Sequence, residues 1–204
     1  MLIDVDQWIK LCDKNIKGII HIGANDCEEQ CIYDSIGLDK SKVIWLEAIK
    51  EKVDQYEKLN YNIYNLVVSD TDNEVVSFKI TNNGASSSML ELDKHKTEHP
   101  DIYVVREVEL KTTRMDTFII ENNIDINNYN YLNLDIQGAE LKALKGFGEY
   151  LKYIDFVYAE VNIDTLYKDN ALLHEIDAYL ETFGFKRKIT NMTRHKWGDA
   201  FYVK

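Results

Sequence analysis

The chain has 204 residues, 45% of them apolar, enough to bury one sizeable core and to form one domain over residues 1–204. Acidic side chains number 35 against 24 basic ones, and a formal charge of −11 argues against a nucleic-acid partner, whose phosphates it would repel. No run approaches the roughly 20 apolar residues of a membrane helix, and MLIDVDQWIK lacks a charged leader before an apolar stretch, so a soluble, cytoplasmic protein without membrane insertion is expected.

Val5, Trp8, Ile9 and Cys12 recur at helical spacing and predict a first helix over 4–14. GIIHIGA (18–24) reads as a strand, with a helix near 27–37 behind it. KVIWLEA (42–48) is a second strand followed by a helix near 50–59, and NIYNLVVSD (62–70) a third strand. Residues 71–118 break this alternation. There VVSFKIT and REVELKT read as extra strands flanking NNGASSSMLELDKHKTEHPD, a polar loop suited to lying over a site. YLNLDI (131–136) and DFVYAEV (155–161) are two more strands. Between them Leu141, Leu144 and Leu151 mark the buried face of a helix, and Gly146 and Gly148 allow a break in it. Leu172, Leu173, Ile176, Tyr179, Leu180 and Phe183 predict a helix over 171–183, and FKRKIT and DAFYVK close the chain as strands.

Apolar strands alternating with helices indicate an α/β fold, with a mostly parallel sheet covered on both faces. The last two strands are separated by too short a stretch (191–198) for a crossover helix, so they are expected to be antiparallel. That layout is the one of Rossmann-like methyltransferases.

Open α/β sheets bind ligands beyond the carboxyl ends of their strands. Here those ends carry His21, Gly23, Asn25 and Asp26, then Glu47, then Ser69 and Asp70, then Asp135 and Gln137, then Glu160 and Asn162. Glu47 falls about 20 residues past the first turn, the spacing at which an acid meets a ribose hydroxyl in nucleotide-binding folds. The turn itself, IGANDCEEQ, has one glycine and sets Asp26, Glu28 and Glu29 where a dinucleotide would need its pyrophosphate. Carboxylates there oppose a diphosphate and suit S-adenosylmethionine, which has no phosphate and carries a sulfonium and an ammonium. Glu28 and Glu29 also have a plain structural role open to them, complementing the dipole of the helix they begin.

Several stretches now resemble the FkbM family of S-adenosylmethionine-dependent methyltransferases: IIHIGANDCEE, VIWLEA, LVVSD, ASSSMLELDKH, YLNLDIQGAELKALKG, AEVN and WGDAFYV, in the family's order. DIQGAELKALKG is the most specific of them. Two positions depart from the family: many members have Asp at His21 and Gly at Cys27. The resemblance implies a Rossmann-like seven-stranded mostly parallel sheet with an antiparallel C-terminal strand, and methyl transfer to hydroxyls of sugars or secondary metabolites. It implies that Gly23 and Asn25 lie against the methionine portion of the cofactor and that Glu47 takes the ribose hydroxyls, with Ala48 beside the adenine. Ser69 and Asp70 would sit at the adenine edge, and Asp135 and Gln137 would border the sulfonium side.

A hydroxyl acceptor loses its proton on methylation, so a base is sought. His95, Asp135 and Glu160 are the catalytic candidates, with His21 and His195 behind them. Candidate acceptor-binding residues are Ser87, Ser88, His95, Asn162, Tyr167, Trp197 and Asp199. Each has a plainer alternative: a surface histidine, serines that form turns, aromatic rings that pack in the core. Glu140 either caps its helix from inside or complements the helix dipole. Asp135, Glu140, Glu160 and Asn162 are hard oxygen donors that leave a metal open, but no metal site is assigned. Cys27 and Cys31 sit four apart, but no second Cys or His pair has zinc spacing, and nothing in the sequence fixes convergence of the oxygen donors. The expectation is an O-methyltransferase acting on a sugar hydroxyl of a glycan or its precursor. A non-catalytic relative and a nicotinamide-dependent oxidoreductase are the rivals.

Overall fold

The computed structural model describes residues 1–204. In chain order the elements are α1 (Val5–Trp8), β1 (Ile19–Ile22), α2 (Gln30–Ser35), β2 (Val43–Glu47), α3 (Lys50–Glu57), β3 (Ile63–Asn65), β4 (Val67–Val68) and β5 (Val75–Thr81). They continue with α4 (His95–Glu98), β6 (Val104–Thr113), α5 (Met115–Glu121), β7 (Tyr131–Leu134), α6 (Glu140–Phe147), β8 (Phe156–Asn162), α7 (Leu173–Glu181), β9 (Lys186–Met192) and β10 (Trp197–Val203). Seven strands form the main sheet in the order β3-β2-β1-β7-β8-β10-β9. All neighbours from β3 to β8 are parallel, and β10 runs antiparallel to both β8 and β9.

Every residue of β1, β2, β7 and β8 is buried, which explains their mostly apolar sequences. Successive side chains point to opposite faces and so divide between two cores. Ile20, Ile22, Ile44, Leu46, Leu132 and Leu134 join α5, α6 and α7 on one face. Ile19, Val43, Trp45 and Tyr131 join α1 and Tyr33 of α2 on the other. Trp8 of α1 seats its ring 5.3 Å from Tyr131 and 5.9 Å from Phe201. No helix is long and apolar enough to cross a membrane.

Three expectations are refined. The first helix is shorter than 4–14: α1 passes into a single 3-10 turn over Ile9–Leu11. The strand over 62–70 is two strands: β3 pairs with β2, then the chain leaves the main sheet and β4 pairs with β6 in a second sheet, β4-β6-β5. An apolar run does not reveal that its two halves have different partners. Helix α5 begins at the end of the region read as strands and loop (71–118) and buries Met115, Phe118 and Ile119. The break foreseen after Leu144 is real, since Gly148 ends α6 at φ +50° and a 3-10 segment follows.

Candidate active site

The strand ends converge on three adjoining clefts above β1, β2, β7, β8 and β10. β1 delivers the chain into the turn at Gly23, whose φ is +95° and where a Cβ would lie 1.8 Å from the carbonyl oxygen of Asp135. Only glycine permits that contact between the ends of β1 and β7. Asn25 and Cys27 continue the turn in the left-handed region, at φ +45° and +50°. Glu47, the last residue of β2, fixes this turn from beside it. Its Oε2 accepts the Asn25 N–H at 2.8 Å and its Oε1 accepts the Ile49 N–H at 2.8 Å. Burial raises the Glu47 pKa, and these two bonds work against the rise.

At the end of β7, Gln137 adopts φ +55° and binds three neighbours. Its Nε2 donates to Asp135 Oδ1 at 2.8 Å and to Glu160 Oε2 at 2.9 Å, while its Oε1 accepts the Tyr167 hydroxyl at 2.7 Å. Glu140 turns its carboxylate backwards. Oε1 accepts the N–H groups of Ile136 and Gly138, both at 3.1 Å, and Oε2 is buried with no partner. It therefore braces the turn that carries Gln137 rather than the helix it begins. Burial lifts Asp135 to about 6 and Glu140 to about 7. Glu160 is pushed well above the usual carboxylate range, by burial first and then by Asp135, Glu140 and Asp199.

The first cleft, about 540 Å³ with its solvent-open mouth included, lies between Ile22, Gly23, Leu46, Glu47, Ala48, Val67, Phe78 and Met89. A second, of about 640 Å³, is lined by Met1, Gly23, Asn25, Glu28 and Glu29. A third, of about 850 Å³, is lined by Ser86, His95, Gln137, Glu160, Tyr167, Trp197 and Asp199 among others. Asp135 and Ala85 belong to all three. Ala85 lies in the segment between β5 and α4, so the inserted region does reach over the strand ends.

His95 opens α4, is only 5% exposed and packs its ring against Tyr167 and His99 at 5.2 and 4.9 Å. Its Nδ1 is buried without a partner. Burial, with His99 adding to it, lowers its pKa to about 4, so the ring is neutral at pH 7. Ser87 lines the first cleft and accepts the Thr81 N–H at 3.0 Å. Ser88 instead ties the loop to the β7 turn by donating to the Gln137 carbonyl at 2.9 Å. Ser69 and Asp70 lie outside the clefts: Ser69 bonds Asp70, which faces Lys142 at 3.5 Å. Asn162 is fully buried with neither amide atom partnered, one step past Glu160 on the same face of β8.

His21 bonds the Tyr33 hydroxyl at 2.9 Å and stacks on Trp45 at 4.4 Å inside the core, which removes it as a base. His195 sits outside, 2.9 Å from Glu98. No group of three or more His, Cys, Asp or Glu side chains is arranged to hold a metal ion. Sequence reasoning missed Lys52 of α3, which donates to Asn25 Oδ1 and, at 2.9 Å, to Asp26 Oδ2. It also missed Leu2, whose N–H donates to Asp199 Oδ2. Neither position carries a motif, so no signal in the sequence distinguishes them.

The Methyltransferase FkbM domain matches residues 21–187. A solved FkbM methyltransferase from Methylobacillus flagellatus KT superposes with a TM-score of 0.55 at 12% identity, over 92% of this chain and 43% of that one. The chain thus spans less than half of that relative's length. Ribosomal protein L11 methylase from Lactobacillus delbrueckii subsp. bulgaricus gives 0.51 at 7% identity, over 98% of this chain and 76% of that one. Magnesium protoporphyrin IX methyltransferase from Synechocystis PCC 6803, solved with bound SAM, gives 0.50 at 10% identity, over 98% and 77%. At such identities the likeness shows a common fold. No curated protein matches the sequence.

Proposed function

The chain belongs to the FkbM methyltransferase family, and on that premise we propose that it moves a methyl group from S-adenosylmethionine to a sugar hydroxyl of a glycan or glycan precursor. We take residues 1–204 as one catalytic domain working in a reducing, cytoplasmic compartment, in keeping with three unpaired cysteines. The observation that carries the reading is the meeting of three clefts at Asp135 and Ala85: one with apolar walls and an acid at its edge, one acidic, one polar and aromatic.

The residues present fit the cofactor. Glu47 uses one lone pair of each carboxylate oxygen on a backbone N–H, which leaves capacity for two ribose hydroxyls. Leu46, Ala48, Val67, Phe78 and Met89 offer apolar surface to an adenine. Gly23 lets the backbone approach, Asn25 stands beside it, and Glu28 and Glu29 face an ammonium. Asp135, raised by burial among other acids, gains by meeting a cation. Bound there, the cofactor supplies an electrophilic methyl on its sulfonium.

The protein's part is mainly positioning, since alignment of the acceptor oxygen supplies much of the rate of such a displacement. Gln137 holds Asp135, Glu160 and Tyr167 in one arrangement, braced from beneath by Glu140. His95 is the base: its ring is neutral and lines the seat of the acceptor, whose hydroxyl proton it takes. Ser86, Tyr167 and Trp197 line the seat of the sugar.

Isothermal titration calorimetry with S-adenosylhomocysteine and, separately, NAD tests the cofactor. Micromolar binding of the first and none of the second is expected. Binding of NAD alone would overturn the reading.

A further inference from the structure

Resting on the methyl-transfer reading, we propose that the acceptor is an amino sugar with a free ammonium group, held by Glu160 and Asp199. These two residues stand directly opposite each other on β8 and β10. They are 7% and 5% exposed and line the same cleft of about 850 Å³. Two acids directly opposed across a sheet resist being charged together, and burial sharpens that resistance, so Glu160 holds its proton well above the usual range. No Lys or Arg lines that cleft, and the Met1 ammonium on its lining stands 3.8 Å from Glu29.

The hydrogen bonds show which oxygens await a ligand. Asp199 accepts the Tyr158 hydroxyl and the Leu2 N–H on Oδ2 alone. Glu160 accepts Gln137 Nε2 on Oε2 alone. Each carboxylate therefore keeps a second oxygen without a protein donor. A neutral hydroxyl gives one donor and no charge. An ammonium gives three donors and lets both acids carry their charge.

The cations of the cofactor do not remove this demand, because Glu28 and Glu29 line the neighbouring cleft that Gly23 and Asn25 form, and Glu160 and Asp199 do not. A second observation marks the acidic cleft as a ligand seat: His95 lines it, is 5% exposed, and has a buried Nδ1 with no partner. Trp197 adds an aromatic face on which a sugar ring or a cation can rest. An anionic acceptor such as a nucleotide-linked sugar would meet Asp135, Glu160 and Asp199, with the Met1 ammonium, already 3.8 Å from Glu29, as the one fixed cation on the lining.

The test is calorimetry on the full chain saturated with S-adenosylhomocysteine, at a pH where the amine is protonated. The probes are a β-1,4-linked glucosamine trisaccharide, its fully N-acetylated counterpart and cellotriose. The amine trisaccharide is expected to bind about tenfold or more tightly than either neutral probe at low salt, with the advantage shrinking as salt rises. Asp199→Asn is expected to erase most of that advantage, with retained S-adenosylhomocysteine affinity checking that the fold persists. Equal, weaker or undetectable binding of the amine trisaccharide to the wild-type chain overturns the proposal, whatever the variant does. So does a preference that survives in both Asp199→Asn and Glu160→Gln. A chain that fails to bind S-adenosylhomocysteine overturns the methyltransferase reading instead, which separates the two failures.

Discussion

Glu47 and Glu140 are both buried glutamates beside the carboxyl ends of the main sheet, yet their surroundings satisfy them in opposite ways. Glu47 places one backbone N–H on each oxygen and has Lys52 near it. Glu140 takes both of its N–H bonds on one oxygen and leaves the other with nothing, among the carboxylates of Asp135 and Glu160. The contrast extends to the two halves of the site. On the side proposed for the cofactor, Glu47 is tied to backbone in a turn whose geometry is closely set. On the side proposed for the acceptor, acids are gathered by one amide, Gln137, and remain electrostatically unfinished. A half fixed by backbone contacts should fail by losing shape, and a half fixed by charge should respond to protons and cations.

The largest effect is expected on the rigid half. Gly23→Ala would drive a Cβ into the Asp135 carbonyl and strain φ, which should cost about 3 kcal/mol or more and abolish S-adenosylhomocysteine binding. Thermal unfolding and calorimetry check it, and near-normal stability would mean that the two strand ends need no such contact. Next, His95→Ala should lower turnover roughly 10²-fold or more with cofactor affinity unchanged. A parallel loss of affinity would move His95 into the rigid half.

Glu47→Ala should follow, weakening S-adenosylhomocysteine binding about tenfold while leaving the Asn25 and Ile49 N–H groups without an acceptor, at about 1–3 kcal/mol of stability. Unchanged affinity in that variant would show that the ribose assignment is wrong.

Protons offer a finer probe of the unfinished half. Asp135 and Glu140 hold protons in the folded chain up to about 6 and 7, whereas the unfolded chain releases them near 3.8 and 4.5. Their contribution to stability is therefore complete below the lower values and is lost as pH rises through the upper ones. The melting temperature of the ligand-free protein should fall between pH 5 and pH 7.5 by about 2–4 °C more in wild type than in Glu140→Gln. Identical slopes would remove Glu140 from the coupled set. Smallest of all, Lys142→Ala breaks a half-exposed pair with Asp70 outside the clefts and should change stability by no more than about 0.5 kcal/mol. A larger change, read by denaturant unfolding, would give the end of β4 a role in the site.

The sheet was legible because β1, β2, β7 and β8 are buried on both faces and so carry mostly apolar runs, interrupted by His21, Asn133 and Glu160 and ending in Glu47 and Asn162 on β2 and β8. The antiparallel ending was legible because residues 193–196 leave no room for a helix between β9 and β10. Helix α5 was not, since Met115, Phe118 and Ile119 follow a strand with no cap or glycine to mark the change. Position relative to strand ends sufficed to place Glu47, Asp135, Gln137 and Glu160 on the clefts. Nothing local told that Gln137 would bind two acids and a tyrosine together, since that depends on Tyr167 returning from beyond β8. Lys52 and Leu2 reach the site by tertiary approach alone, one from a helix face and one from the N-terminal segment. The direction in which Glu140 turned was equally hidden, because both choices place an acid at the start of α6.

The two rims of the main sheet bear on how copies of this protein behave in a crowded solution. β3, at one rim, has three residues, too few to template a further strand. β9, at the other, has seven, and begins with Lys186, Arg187 and Lys188 in a chain that is otherwise strongly acidic. Two such rims brought together would set like charges against each other, so the exposed backbone of β9 is shielded from zippering into fibrous aggregates by charge, where β3 is shielded by brevity.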